Sequence, residues 1–268
     1  YRKFNKHFLI IFIKMINPFF DKIGVYLHPK FSELKQYKLS YAKKTRRYLI
    51  NRENKSFNKF FIDTSLSNTQ LCFLGKKYPT NKSPLNVKGH RSGFTGIYTL
   101  LFSMLKNKKI NIAEIGIEKN SSTKIWRDYF INSKIYAFEY DSKKIAAAKK
   151  NKLKNTFYLK TDVTKKKDIR ESFKKTKCKF DIIIDDSTHI FEDQINIIIE
   201  TYKFLKKDGI LIIEDIYRYL TDYEEDNYYK KLHHLKKEFN DIFFIESINY
   251  NNFNASWKNE KMLVFIKK

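Results

Sequence analysis

At 268 residues, with 42% hydrophobic and 16% aromatic residues, the chain is long enough for one large domain plus an extension and too apolar for global disorder. Two cysteines, Cys72 and Cys178, exclude a disulfide framework and a cysteine-based zinc centre, and no apolar run reaches the roughly 18–20 residues that span a bilayer. The formal charge is +25, but 46 of the 54 basic residues are Lys, whereas phosphate and base readers lean on Arg; the excess reads as a Lys-, Asn- and Ile-rich composition before it reads as a nucleic-acid footprint.

Residues 1–60 carry 15 Lys and Arg against Asp21, Glu33 and Glu53. We expect residues 1–74 to form a basic, mostly helical extension. Its charge suits a membrane surface, an acidic glycan or RNA, or simply a solvated helical face. Phe8–Ile13 is short for a signal-peptide core and lacks a cleavage site, so the expected location is cytoplasmic, with peripheral membrane contact through this segment as an option. Residues 75–96 read as a loop punctuated by Pro79, Pro84, Gly89 and Gly93, and Phe94–Lys106 as an amphipathic helix.

From Lys109 the pattern changes. Short apolar runs at Ile110–Ile115, Ile135–Phe138, Phe157–Leu159, Phe180–Ile184 and Ile210–Ile213 alternate with helical stretches at Ser122–Ile131, Lys143–Lys152, Lys165–Lys175 and Phe191–Leu205. Unalternated runs such as IIID and GILII mark strands buried on both faces. The expected fold is a Rossmann-like, doubly wound, mostly parallel α/β sheet of seven strands over residues 75–268. Its last two strands, Asp241–Ile248 and Met262–Ile266, leave no room for a crossover helix and should form an antiparallel hairpin.

In such a sheet ligands bind beyond the carboxyl ends of the strands, so the polar residues there are the candidates. Glu139 ends the second strand about 20 residues after the Gly116 turn, where an acid accepts hydrogen bonds from a ribose diol. A single glycine suits a nucleoside without a pyrophosphate better than a dinucleotide. Asp186, Glu214 and Asp215 would converge if the fourth and fifth strands are neighbours, and three crowded anions call for a cation, a hard divalent one by their oxygen chemistry. His189, three residues past Asp186, is placed to act as a general base. A plainer reading stays open: Asp185 and Asp186 cap the following helix and His189 lies on its first turn.

These stretches are EIGIEKNSSTKIW from Glu114, FEYD from Phe138, IIDDSTHIFEDQ from Ile183 and LKKDGILIIEDIY from Leu205. They resemble the class I S-adenosylmethionine-dependent methyltransferases, and more narrowly the macrocin O-methyltransferase type, metal-dependent sugar O-methyltransferases. Lys77–Lys82 and His90–Tyr98 are similar to that family's YGTDK and H-x-Y stretches. The resemblance covers about residues 75–268. It implies that Asp186, Glu214 and Asp215 ligate Mg²⁺ or another hard divalent ion, that His189 is the base, and that Glu114, Gly116, Ser122, Glu139, Asp162 and Asp185 contact S-adenosyl-L-methionine. It implies a methyl transfer to a hydroxyl of a small molecule or glycan. Three departures stand out: Ser187-Thr188 for Gly-Ser, Asn120 for a usual Gly, and Asn81 for the Asp of TDK. Two other readings fit the composition. One is a nucleic-acid methyltransferase on the same fold, although no NPPY-like tetrapeptide is present; the other is a non-catalytic cofactor-binding module.

Overall fold

Strands covered on both sides have no reason to alternate polar and apolar residues, and the unalternated runs do form the middle of the sheet. The computed structural model describes residues 56–86, 91–217, 220–248 and 260–268, and Ser56–Lys268 form one compact unit. The expected helices of residues 1–55, and His90, lie outside the described residues.

Eight strands make one sheet: β1 (Asn58–Asp63), β2 (Asn111–Ile115), β3 (Lys134–Glu139), β4 (Thr156–Lys160), β5 (Phe180–Asp185), β6 (Leu205–Ile216), β7 (Phe239–Ile248) and β8 (Lys261–Lys267). Their order is β1-β7-β8-β6-β5-β2-β3-β4. Only the two pairings of β8, with β6 and β7, are antiparallel, so the C-terminal hairpin is present. The eighth strand is β1, parallel to β7 at the sheet edge, within the segment read as a helical extension. Its mixed exposure gives FNKFFID no clean period-two signature. The compact unit thus begins at Ser56, ahead of the expected division after residue 74.

Seven α-helices are described: α1 (Gln70–Lys77), α2 (Phe94–Phe102), α3 (Ser121–Tyr129), α4 (Ser142–Lys149), α5 (Lys166–Lys175), α6 (Phe191–Thr201) and α7 (Glu225–Leu232). Side-chain parity sorts them into two layers. Ile112, Ile182, Ile184 and Ile212 pack on Leu71, Phe94, Tyr98, Phe102 and Trp126 of α1–α3. Ala113, Ile115, Ile183, Leu211 and Ile213 pack on Phe173, Ile195, Ile198 and Leu232 of α5–α7. Aromatic pairs fill both layers: Phe138 stacks on Phe173 at 4.5 Å between centroids, and Trp126 meets Tyr98 edge to face at 5.3 Å.

The register positions the site. The chain winds from β2 outward to β4, then returns to place β5 on the other side of β2, which makes β2/β5 the switch point. Ile115 is level with Phe138 and with Asp185, and Asp185 is level with Ile213. One residue further on, Glu139, Gly116, Asp186 and Glu214 stand in a row across the carboxyl ends of four adjacent strands.

Candidate active site

Gly116 makes the row possible. Its φ is +86°, and a Cβ there would stand 2.1 Å from the carbonyl oxygen of Asp186, so only glycine fits. The backbone is pinned on both sides, by Gly116 N–H to Phe138 O at 2.8 Å and Asp186 N–H to Ile115 O at 2.8 Å. In front of this turn lies a cavity of about 400 Å³, lined by Gly116, Glu139, Thr161, Asp186, His189 and Asp215 among others.

On the β3 side, the carboxylate of Glu139 accepts Ile117 N–H at 3.2 Å and Asp141 N–H at 3.0 Å. These bonds hold it at the cavity edge with acceptor capacity to spare. Tyr140, Lys144 and Val163 complete this wall. The hydroxyl of Thr161 is buried there without a hydrogen-bond partner. Such an atom invites a ligand partner, because an unpaired buried hydroxyl costs about 1–3 kcal/mol.

On the β5–β6 side, Asp186, His189 and Asp215 each bring a ligand atom to the wall, and all three atoms lie within 4.8 Å of one another. His189 Nε2 is 3.4 Å from Asp215 Oδ2. Both residues have left-handed backbones, φ +58° and +54°. Strain of this kind, on the order of 1–3 kcal/mol each, gathers where function over-determines the backbone. For His189 the surroundings are visible: Tyr223 donates to its carbonyl at 2.9 Å. For Asp215 the cause is a bulge, since β6 carries one extra residue against β8 between Ile213 and Ile216. Burial pushes the Asp215 carboxyl up to about 8, helped by Asp186, and burial lowers His189 below its ordinary value. Burial thus works against the charged form of both groups.

The other residues singled out in the sequence do not line the cavity. Glu114 is fully buried and accepts Thr123 Oγ1–H at 2.6 Å and Trp126 Nε1–H at 2.8 Å, fastening β2 to α3. Ser122 also leans on Glu114. Asp185 accepts from Ser187 N–H at 3.2 Å and Ser187 Oγ–H at 2.6 Å, which shapes the turn carrying His189. Burial raises its carboxyl to about 7. Asp162 folds into its own turn, accepting Thr164 N–H and pairing with Lys165 at 2.8 Å, while its neighbours Thr161 and Val163 face the cavity. None of Glu114, Ser122, Asp162 and Asp185 is among the cavity-lining residues.

Glu214 differs most from expectation. It has the parity of Ile210 and Ile212 and so faces the α1–α3 layer, fully buried. Tyr98 donates to one of its oxygens and the Lys82 ammonium to the other. The same ammonium is 2.8 Å from Asp186 Oδ2. Burial alone would lower Lys82, but Asp186, Glu214 and Asp215 outweigh it and hold the amine charged. Burial pushes Glu214 up and Lys82 opposes that push; the contact is that of an ion pair. Gln194, on α6, donates to the Glu214 carbonyl at 3.1 Å and accepts from Tyr228, so both helical layers brace this strand end. Sequence reasoning did not anticipate Lys82, Tyr98 or Gln194 in these roles. The parity of Glu214 was readable; the Lys82 contact, from a loop 132 residues away, was not.

The cavity fits a nucleoside donor: a glycine cradle that a Cβ would fill, an acid at the end of β3 and an unpaired hydroxyl. Its acid-imidazole corner offers three ligand atoms of a kind that could hold a divalent cation.

Residues 120–264, more than half of the chain, match a family model described as a methyltransferase domain. Among solved structures, the MycE methyltransferase from the mycinamycin biosynthetic pathway in complex with Mg and SAH is similar, with 17% identity and a TM-score of 0.57 over 75% of this chain and 55% of that one. Its complex with Mg, SAH and mycinamycin VI gives 18% and 0.55 over the same shares. The chain thus spans little more than half the length of those relatives, and at this identity the likeness is one of fold. None of the curated proteins compared matches.

Proposed function

The chain belongs to the methyltransferase-domain family, and from that premise we propose that it is an S-adenosylmethionine-dependent O-methyltransferase acting on a hydroxyl of a sugar, in a glycan or a glycosylated small molecule. One observation carries this reading. A single cavity joins the Gly116–Glu139 cradle to a corner where Asp186, His189 and Asp215 converge.

Gly116, Glu139 and Thr161 would hold the donor, Glu139 by accepting from its ribose hydroxyls. When bound, the donor supplies a methyl group on a sulfonium, which passes to the acceptor oxygen while sulfur keeps the C–S bonding pair. Asp186 and Asp215 would hold a divalent cation, whose charge favours the deprotonated form of a hydroxyl beside it. His189 is the base. It is the sole imidazole on the wall among the described residues, and burial keeps it unprotonated near neutral pH. Nε2 takes the hydroxyl proton as the C–O bond forms. Asp215 Oδ2 lies 3.4 Å from that nitrogen. Gly116 and the Asp185–Ser187 turn hold donor and base to fixed backbone, and positioning of that kind supplies several kcal/mol of rate.

Asn81, Ser187 and Thr188 give the wall hydrogen-bonding groups suited to a polyhydroxylated acceptor. The test is isothermal titration with S-adenosylmethionine, followed by methyl-transfer assays on a panel of hexosides and deoxyhexosides with and without EDTA. The reading expects one donor site per chain and EDTA-sensitive transfer to a sugar hydroxyl. A folded chain that ignores the donor would overturn it, and transfer to RNA instead would move the acceptor to another class.

A further inference from the structure

Three carboxylates at the ends of neighbouring buried strands repel one another unless a positive charge sits among them. The chain supplies one itself. The ammonium of Lys82 is buried between Asp186 and Glu214. The loop that aims it is fastened to α2, since Thr95 N–H and Oγ1–H both donate to the Lys82 carbonyl, at 3.0 and 3.2 Å, and Ser92 N–H donates to Asn81 O at 2.8 Å. Tyr98 occupies the second oxygen of Glu214. Both oxygens of Glu214 are thus engaged behind the wall, while Asp186 and Asp215 line the cavity.

We propose that Lys82 is a positioning residue that withholds Glu214 from the cavity, so that the cation site has two carboxylates, Asp186 and Asp215, rather than three. The inference rests on the metal-dependent reading above. It follows that Lys82, and not the number of acids in the sequence, sets how tightly a divalent ion binds. Removing the amine frees one oxygen of Glu214 and deletes a positive charge within a few ångströms of the site. Removing the amine together with the Glu214 charge restores the original donor set.

Mn²⁺ binding to the full chain, measured by calorimetry and by electron paramagnetic resonance at one pH, tests this. S-adenosylmethionine binding to the same samples reports on the fold. Lys82→Met is expected to bind Mn²⁺ at least about tenfold more tightly than the wild type. The pair Lys82→Met with Glu214→Gln is expected within about threefold of the wild type. It also guards against a single variant that fails to fold, because removing both partners of a buried ion pair is tolerated far better than removing one. No tightening in a folded Lys82→Met, or a loss of tenfold or more in the double variant, overturns the proposal; the latter would make Glu214 a ligand. The two readings fail separately. Mn²⁺ binding by Lys82→Met but not by the wild type supports the role of Lys82 and removes the metal from the proposed function. Equal binding by both does the reverse.

Discussion

Gly116 and Asp186 touch backbone to backbone at the switch point, with 2.1 Å between the carbonyl oxygen of Asp186 and the place a Cβ on Gly116 would occupy. This contact joins the donor cradle to the strand end that carries the acid-imidazole corner. Gly116→Ala must push that carbonyl away and adopt φ +86° with a side chain. The two costs together should destabilise the chain by about 1–3 kcal/mol and weaken donor binding at least tenfold. Thermal unfolding and calorimetric titration check both; unchanged donor affinity would separate the glycine from the cradle.

Glu114 and Glu139 offer a contrast between two strand-end acids. Glu139→Gln keeps shape but replaces an anionic acceptor, so donor affinity should fall about tenfold or more with little change in stability. Glu114→Ala strands the Thr123 hydroxyl and the Trp126 indole N–H in the core. It should cost about 2–4 kcal/mol while leaving the donor affinity of the folded fraction unchanged. Swapped outcomes would exchange the roles of these two residues.

His189→Ala removes the proposed proton acceptor. The turnover number should fall about 10²–10⁴-fold while the dissociation constant for S-adenosylmethionine stays within about threefold. The log of kcat in the wild type should rise with pH and level off at the His189 pKa, which lies below its ordinary value. A variant with near-normal turnover would assign the proton elsewhere.

Stability should depend on pH through the buried acids. Asp215, raised to about 8, and Asp185, raised to about 7, hold protons in the folded chain that they release when unfolded above about pH 4. Between pH 4 and 8 the folded state binds more protons than the unfolded state, so these groups make stability fall as pH rises. In metal-free buffer the melting temperature should drop from pH 5.5 to pH 8.5, and Asp215→Asn should flatten part of that drop. An equal slope in the variant would show that Asp215 does not carry it.

Much of this arrangement was legible in the sequence, for a physical reason. Strands β5 and β6 are covered on both faces, so their centres read as unbroken apolar runs, and the polar residues that end them are thrown into relief. Gly116, Glu139, Asp186, His189 and Asp215 all line the cavity. The residues that do not line the cavity fall into two kinds. Asp162, Asp185 and Glu114 satisfy local turns and a helix that a linear reading cannot distinguish from ligand contacts. Glu214 is governed by side-chain parity and by Lys82, which arrives from a loop with no periodicity to announce it. Edge strand β1 was hidden for the opposite reason to β5: with one neighbour and mixed exposure, it has neither a continuous run nor an alternating one.

The most direct measurement is diffraction from crystals grown with S-adenosylhomocysteine and Mn²⁺, with anomalous data at the manganese edge. The account predicts the nucleoside against Gly116 and Glu139, an anomalous peak bounded by Asp186 and Asp215, and Lys82 still bonded to Glu214. A nucleoside bound elsewhere, or a manganese peak remote from Asp186, would contradict it.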